Sequence, residues 1–260
     1  MNKSLLDLYT DYLISSFGPT TATALSQLVN GEVSHDQVTR FLASPPKTSA
    51  GLWRIVKPML RQVENSTGLL ILDDSIEEKP YADENNLICW HWDHSNQRHV
   101  KGINFLTAFY ATEQVGLPVA FDPVAKTELY LDAKSGKQKR RSSLTKNARH
   151  RMLLQICAHN QIKFRYVSND SWYASADNMN IIHLDLKKDF VMPLKANRNI
   201  ALSEEDEQQG CYVTVSKLDL PEGEAREVWL EDVDSPLLLG RSQPICVEVK
   251  DLYVGLEVSL

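Results

Sequence analysis

Only four cysteines, Cys89, Cys157, Cys211 and Cys246, occur in 260 residues, and they are far apart with no CxxC pair. That spacing indicates neither a disulfide framework nor a zinc knuckle. Long apolar runs are missing too, since none approaches the roughly 18 residues that a membrane-spanning helix needs. The N-terminus leads into an amphipathic segment rather than a signal peptide, so the chain reads as cytoplasmic with no membrane partner. Basic side chains are scarce toward the C-terminus. Of 28 bases and 34 acids, residues 201–260 take 4 and 14, which leaves residues 1–200 with 24 against 20. The net charge of −6 therefore does not exclude nucleic acid, because the body is mildly basic and the tail acidic. A hydrophobic share of 43% over this length suits one large domain with a small appendage.

What is present is organised around Gly68-Leu69-Leu70-Ile71-Leu72-Asp73-Asp74-Ser75. Four consecutive Leu or Ile residues after a Gly read as a strand covered on both faces, ending in two adjacent carboxylates. A carboxylate at the end of a buried strand is costly unless it is paired or coordinates a cation. Successive strand side chains point to opposite faces, so Asp73 and Asp74 cannot both enter one site, and one of them is expected to cap the following turn. The competing reading of this stretch alone is two solvated acids in a turn.

Upstream, residues 4–17 place Leu5, Leu6, Tyr9, Tyr12, Leu13 and Phe17 at helical spacing before Gly18 and Pro19. A second helical stretch runs over 20–29, and Ser34 is placed to cap a third over 35–43 that stops before Pro45 and Pro46. The last two have helix-turn-helix dimensions, with Gln37 and Arg40 among the residues that would face a DNA groove. A plain helical hairpin packed on the main domain fits the same pattern. A further helix over 51–65 leads to the central strand. After it comes a polar connection, Ile76 to Pro80, and then two β-like runs, 87–92 and 100–112, which read as a hairpin beside the Asp73/Asp74 strand. His91, His94 and His99 fall around the turn of that hairpin, and no Cys or acid completes a tetrahedral set with them.

Residues 134–151 hold Lys134, Lys137, Lys139, Arg140, Arg141, Lys146, Arg149 and Arg151 and no acid. The first half reads as loop and the second as the start of a helix over 144–160. A bare basic run is usually a solvated surface, but one anchored beside an acidic site is what a phosphodiester substrate requires. A strand over 163–169 again ends in a carboxylate, Asp170, and Ser175 caps a helix beyond it. Asp189 to Leu194 is a further strand, followed by the basic pair Lys195 and Arg198. From Cys211 onward only short β-like runs are read, and no helix.

The segments 69–75, Trp90-His91-Trp92-Asp93-His94-Ser95 with Val100-Lys101-Gly102-Ile103-Asn104, and Asp170-Ser171-Trp172-Tyr173-Ala174-Ser175 resemble DDE insertion-sequence transposases. The resemblance covers roughly residues 20–200. It implies an α/β fold with a ribonuclease-H-like mixed sheet and helices over 67–200. A small helical, helix-turn-helix-like DNA-binding region over 1–66 would precede it, and a β-rich, acidic insertion over 201–260 would follow. It implies Asp74 as the first metal-binding and catalytic acid, because the family's first Asp directly precedes Ser or Thr, with Asp73 as the fallback and Asp170 as the second. The ion is Mg2+ or Mn2+, and the partner is double-stranded DNA, both transposon ends and target, with a homodimer in the complex left open. Contacts to DNA are expected from Lys137, Lys139, Arg140, Arg141, Lys146, Arg149, Arg151, Lys195, Arg198, Gln37 and Arg40. The family's third acid, a Glu in a Tyr, Arg, Glu, Lys signature, is not found. No Tyr has an Arg three residues later, and Glu227, Glu248 and Glu257 alternate with apolar residues as solvent-facing strand positions do. The expectation is a C-terminally truncated, catalytically poor transposase. A non-enzymatic DNA-binding remnant or repressor is the alternative, and an unrelated metal-dependent nuclease stands behind both.

Overall fold

The computed structural model describes residues 3–18, 20–44, 48–94, 96–241, 246–249 and 252–255. Pro19, Pro45, Pro46, Ser95 and Glu257, all used in the expectations above, lie outside the described residues. The chain divides into two compact units, Met1–Thr48 and Ser49–Leu260.

The first unit holds α1 (Lys3–Ser15), α2 (Ala22–Leu28) and α3 (His35–Ala43). Their apolar faces meet around Tyr12, Leu25 and Val38. Thr21 caps α2 through Ala24 N–H, and Ser34 caps α3 in a reciprocal box with Gln37, so both helix starts are set by local polar chemistry.

The second unit opens with α4 (Ser49–Val63), which runs through Pro58 on its exposed side. Its strands β1 (Leu69–Glu78), β2 (Cys89–Asp93), β3 (Arg98–Ala111) and β4 (Gly116–Pro123) are followed by the small hairpin β5 (Glu128–Leu131) and β6 (Gln138–Arg141). Then come α5 (Lys146–His159), β7 (Tyr166–Asn169), α6 (Ala176–Asn180), continued by a π-helical turn over Ile181–Asp185, and β8 (Asp189–Val191). The main sheet has the order β2-β3-β1-β7-β8, with β4 also on β3. Pairing is antiparallel from β2 to β1 and parallel from β1 to β8, so the unit is mixed α/β and compatible with a ribonuclease-H-like core. One face of β1 and β3, carrying Leu70, Leu72, Leu106, Ala108 and Tyr110, packs with Leu153, Leu154 and Cys157 of α5.

Beyond β8, β9 (Asn199–Ala201), β10 (Val213–Thr214), β11 (Ala225–Leu230) and β12 (Leu237–Gly240) form a four-stranded sheet, with α7 (Glu204–Gln208) between β9 and β10. A second core, Ile200, Val228, Leu230 and Val233 with Met179, lies under it. The hairpin β13 (Cys246–Val249) and β14 (Leu252–Gly255) follows.

Several expectations are corrected. The central strand does not stop at Asp74: β3 offers a partner to every residue from Leu69 (Ala111) to Glu78 (Gly102), so residues 76–78 continue the ladder. In the first half of the basic run, residues 134–137 form the expected loop, but 138–141 are β6, whose Arg141 lies opposite Glu128 and pairs with it. β4, over which no strand is expected from the sequence, carries Pro118 and Pro123, which an edge position tolerates. α7 is one acidic turn capped by Ser203, too short for periodicity to reveal.

Candidate active site

Alternation along β1 places Asp74 on the same face as the fully buried Leu70 and Leu72, and Asp73 on the other. The parallel ladder with β7 ends at Leu72 opposite Asn169, and the next residue on each chain is an aspartate, Asp73 and Asp170. β1 then continues beside β3, while the chain after β7 turns away. Carboxylates thus collect where two parallel strands diverge at their C-terminal ends, the usual place for a site in such sheets.

Asp74 is held by three donors. Lys146 Nζ lies 2.6 Å and Asn104 Nδ2 2.7 Å from Oδ2, and the Tyr173 hydroxyl lies 2.7 Å from Oδ1. Burial alone would raise this carboxyl, but the bonds from Lys146, Asn104 and Tyr173 outweigh it and hold the group below the ordinary value. Lys146 is there because Thr145 caps α5 and the first helical residue points back over the sheet. The second cation of that turn, Arg149, is buried and pairs with Asp122 on β4. Tyr173 is fully buried, stacked on His150 at 5.0 Å and 15°. Burial pushes His150 down to about 4, so its ring is neutral, and its Nε2 lies 3.0 Å from Asn169 Nδ2.

Asp73 and Asp170 are different. Both reach solvent, yet each is raised, first by burial of its inner side and then by neighbouring carboxylates: Asp74 and Asp170 act on Asp73, and Asp74 acts on Asp170. Asp170 Oδ1 accepts the N–H groups of Trp172 (3.0 Å) and Tyr173 (3.3 Å), and Asp73 Oδ1 accepts that of Asp74 (2.8 Å). The other oxygen of each accepts no hydrogen bond among the described residues. Three interacting carboxylates against one ammonium leave the cluster short of about two positive charges, and oxygen donors suit a hard divalent cation. In the same shell, the buried Asn104 Oδ1, His150 Nδ1 and Asn169 Oδ1 have no protein partner among the described residues. The donor types at this end of the sheet therefore suit a divalent ion. Among the described residues no group of three or more His, Cys, Asp or Glu side chains is placed so that it could hold a metal ion. His91 is buried beside Cys89 (3.3 Å), whereas His94 and His99 are exposed against Trp92.

Most of the expected DNA-contacting bases are engaged within the chain. Lys139 pairs with Asp132, Arg140 with Glu84 and Asn86, Arg141 with Glu128, and Arg151 with Asp177 and Asn178. Lys137 is exposed. Lys195 lies over the Trp172 ring, Arg198 bonds Ala174 O, and Gln37 and Arg40 make local bonds on α3. Asn104 and Tyr173 belong to the segments that resemble the transposases, yet their role at Asp74 is visible only in the structure. The signal for Asn104 was its place in the alternation Val100, Gly102, Asn104, Leu106, Ala108, a polar side chain on an otherwise apolar face. Lys146 was read as a phosphate contact, and it is the direct partner of Asp74.

Among the described residues no helix is long and apolar enough to cross a membrane. No curated protein matches the chain at a significant level. The DDE superfamily endonuclease family matches residues 2–207, which takes in the first unit, the main sheet and all three aspartates, and the chain belongs to that family.

Proposed function

We propose that the protein acts on double-stranded DNA as a DDE-type transposase, in the cytoplasm, with Asp74 and Asp170 as the metal-holding pair. The observation that carries the reading is the group of three interacting carboxylates at the divergence of β1 and β7 in a chain of this family. Bound there, Mg2+ or Mn2+ would polarise a phosphoryl oxygen and lower the pKa of a coordinated water. Asp74 is aimed by Tyr173 and Asn104, and Lys146 serves as its counter-ion until a divalent ion takes that role. Asp73 competes with Asp74 for the place of the first acid, because one of its oxygens is open and it stands one residue beyond the last parallel pair. His150 keeps Tyr173 in place and donates no proton at neutral pH, since its ring is already neutral.

This assignment carries a limit on activity. Two or three Asp carboxylates hold one ion, but an in-line clamp on both attacking and leaving oxygens needs a further acid. Strand cleavage by this chain alone is therefore expected to be absent or very weak. A DNA-binding remnant or repressor is the second reading, favoured by the same incomplete set. DNA binding, through the first unit and exposed bases such as Lys137, and a homodimer on DNA belong to both.

The test is nicking of supercoiled plasmid carrying the element's ends, with Mg2+ or Mn2+, beside thermal shifts with each ion. Metal-dependent stabilisation lost in Asp74→Ala and Asp170→Ala supports the assignment. Robust cleavage by the chain alone, lost in the same variants, would overturn the limit. DNA affinity should fall steeply with salt, and replacing Lys137, Lys139, Arg140 and Arg141 by Ala should flatten the slope by roughly 0.9 per contact removed. An unchanged slope would make the run a solvated surface.

A further inference from the structure

Asp74 draws its donors from separate elements, and one side chain outside the carboxylate group ties two of those elements together. Lys146, bonded to Oδ2, opens α5, and Tyr173, bonded to Oδ1, sits in the turn between β7 and α6. Asn178 of α6 is fully buried, and its backbone N–H donates to the capping Ser175 Oγ at 3.3 Å. Its Nδ2 donates to Tyr173 O at 2.8 Å and to Oδ1 of Asn147, the residue after Lys146, at 2.9 Å. Its Oδ1 accepts Arg151 Nη1 at 3.1 Å. None of these bonds goes to a carboxylate of the site. The orientation of the amide is forced, because a backbone carbonyl only accepts and a guanidinium only donates. An ionised Asp has no donor and a Leu has neither donor nor acceptor, so the three partners together call for an amide of this length.

We propose that Asn178 is a positioning residue for the site: it holds Lys146 and Tyr173 in fixed relation to each other and, through them, sets the Asp74 carboxylate. That this carboxylate holds a divalent ion rests on the function proposed above, whereas the link from Asn178 to Asp74 does not. Each arm of the amide acts on one donor. The first is bonded to the backbone of the residue whose hydroxyl reaches Asp74, and the second to the neighbour of the residue whose ammonium does. On α5, Asn147 and Arg151 are four positions apart and therefore share a face, so the amide is gripped by two residues one turn apart and α6 docks in a single register. The turn before α6 has no ladder of its own. Its consecutive carbonyls Tyr173 O and Ala174 O are tethered by Asn178 and by Arg198 Nη1, the latter at 2.9 Å. Without the first tether, α5 and the turn shift independently. The bonds of 2.6 and 2.7 Å on Asp74 then lose their alignment, and hydrogen bonds weaken steeply with misalignment, while a site of this kind has to be held within about 0.5 Å.

The first test is a double-mutant cycle on the metal-free full chain, read as Tm by differential scanning fluorimetry. In the Asn178→Ala background Tyr173→Phe should lower Tm by less than about half of what it does in the wild type, because the hydroxyl is no longer held on Asp74. Arg141→Ala, at the exposed pair with Glu128, is the control, and its effect should be the same in both backgrounds. A side chain that merely fills the core gives additive losses with both partners, and that result overturns the proposal. The second test follows the electron paramagnetic resonance signal of free Mn2+ as protein is added. Asn178→Ala should weaken Mn2+ binding about 10- to 100-fold, the usual cost of losing a group that orients a ligand. An affinity equal to that of the wild type overturns the proposal as well. Should the wild type bind no Mn2+, the metal assignment of Asp74 falls, and the cycle alone decides whether Asn178 positions it. Should Asn178→Ala fail to fold, Asn147→Ala takes its place in both tests, since that half-buried helical position accepts Ala and only the α5 arm is lost. The same changes, smaller in size, are then expected, and their absence overturns the proposal.

Discussion

Removing one hydroxyl tests the arrangement around Asp74. In Tyr173→Phe the ring keeps its packing and its stack on His150, and only the 2.7 Å bond to Asp74 Oδ1 is lost. The Asp74 side chain is 16% accessible, so water replaces the missing donor poorly, and Oδ1 is left without a partner while Oδ2 keeps Lys146 and Asn104. A hydrogen bond to a charged group is worth about 1.5–3 kcal/mol. A unit of this size loses roughly 2–4 °C of Tm per kcal/mol, so a fall of about 3–12 °C at pH 7 is expected by differential scanning fluorimetry. The pH dependence follows from the sign of the shift. Asp74 is depressed in the folded protein, so its bonds stabilise fully above the unfolded value of 3.8 and the contribution is lost as pH falls through the folded value. Tyr173 itself is raised by burial and then by Asp74, and it remains a donor throughout. The gap between wild type and variant should thus be constant from pH 8 to 5 and close below 3.8. A Tm within 1 °C of wild type at pH 7, or a gap that does not narrow as pH is lowered beneath 3.8, would refute the bond as described.

Further outcomes follow from the same geometry. Asp170→Asn should stabilise the metal-free protein at neutral pH by less than about 1 kcal/mol, because Asp170 is raised by burial first and by Asp74 next but faces water on one side. A raised carboxyl costs stability only where it is ionised, so the gain should vanish as pH drops below 3.8, as read by urea melts at pH 7 and 3.5. Arg149→Met should cost about 3–5 kcal/mol by leaving Asp122 unpaired beneath α5, whereas Arg141→Ala, at an exposed pair with Glu128, should cost at most about 1 kcal/mol; chemical denaturation of both gives the ratio. Gly102→Ala would set a Cβ 2.3 Å from Glu77 O and force β1 and β3 apart, a loss of about 1–3 kcal/mol or more in the same assay.

Residues with local chemistry were legible. Ser34 and Ser175 announced their helices, and the apolar run from Leu69 announced the strand that anchors the sheet. Its end was misread because the drop in hydrophobicity at Asp73 was equated with a loss of pairing, when the long partner β3 carries the ladder on to Glu78. Asp74 and Asp170 were visible as acids after apolar runs. Their surroundings were not, since Lys146, Asn104 and Tyr173 reach Asp74 across 72, 30 and 99 positions, and no spacing rule spans such distances. Likewise the charge of the basic run hides its partners, because the acids that pair with it come from β1, β4, β5, α6 and connecting loops.

The first turn of α5 has a consequence for how the molecule assembles. It carries Lys146 and Arg149 and no acid, so two positive charges sit at the positive end of the helix dipole, an orientation that disfavours the turn in isolation. Among the described residues, both charges are neutralised by side chains from strands earlier in the chain, Asp74 and Asp122. The C-terminal half, with Leu153, Leu154 and Cys157 in the core, has no such conflict. The helix is therefore frustrated at one end until the sheet has formed beneath it. Its amides should gain protection from hydrogen exchange in two steps during refolding, residues 153–159 first and the turn at 146–150 last, together with the pairing of β1 and β3. The last element to settle would then be the one that completes the carboxylate site.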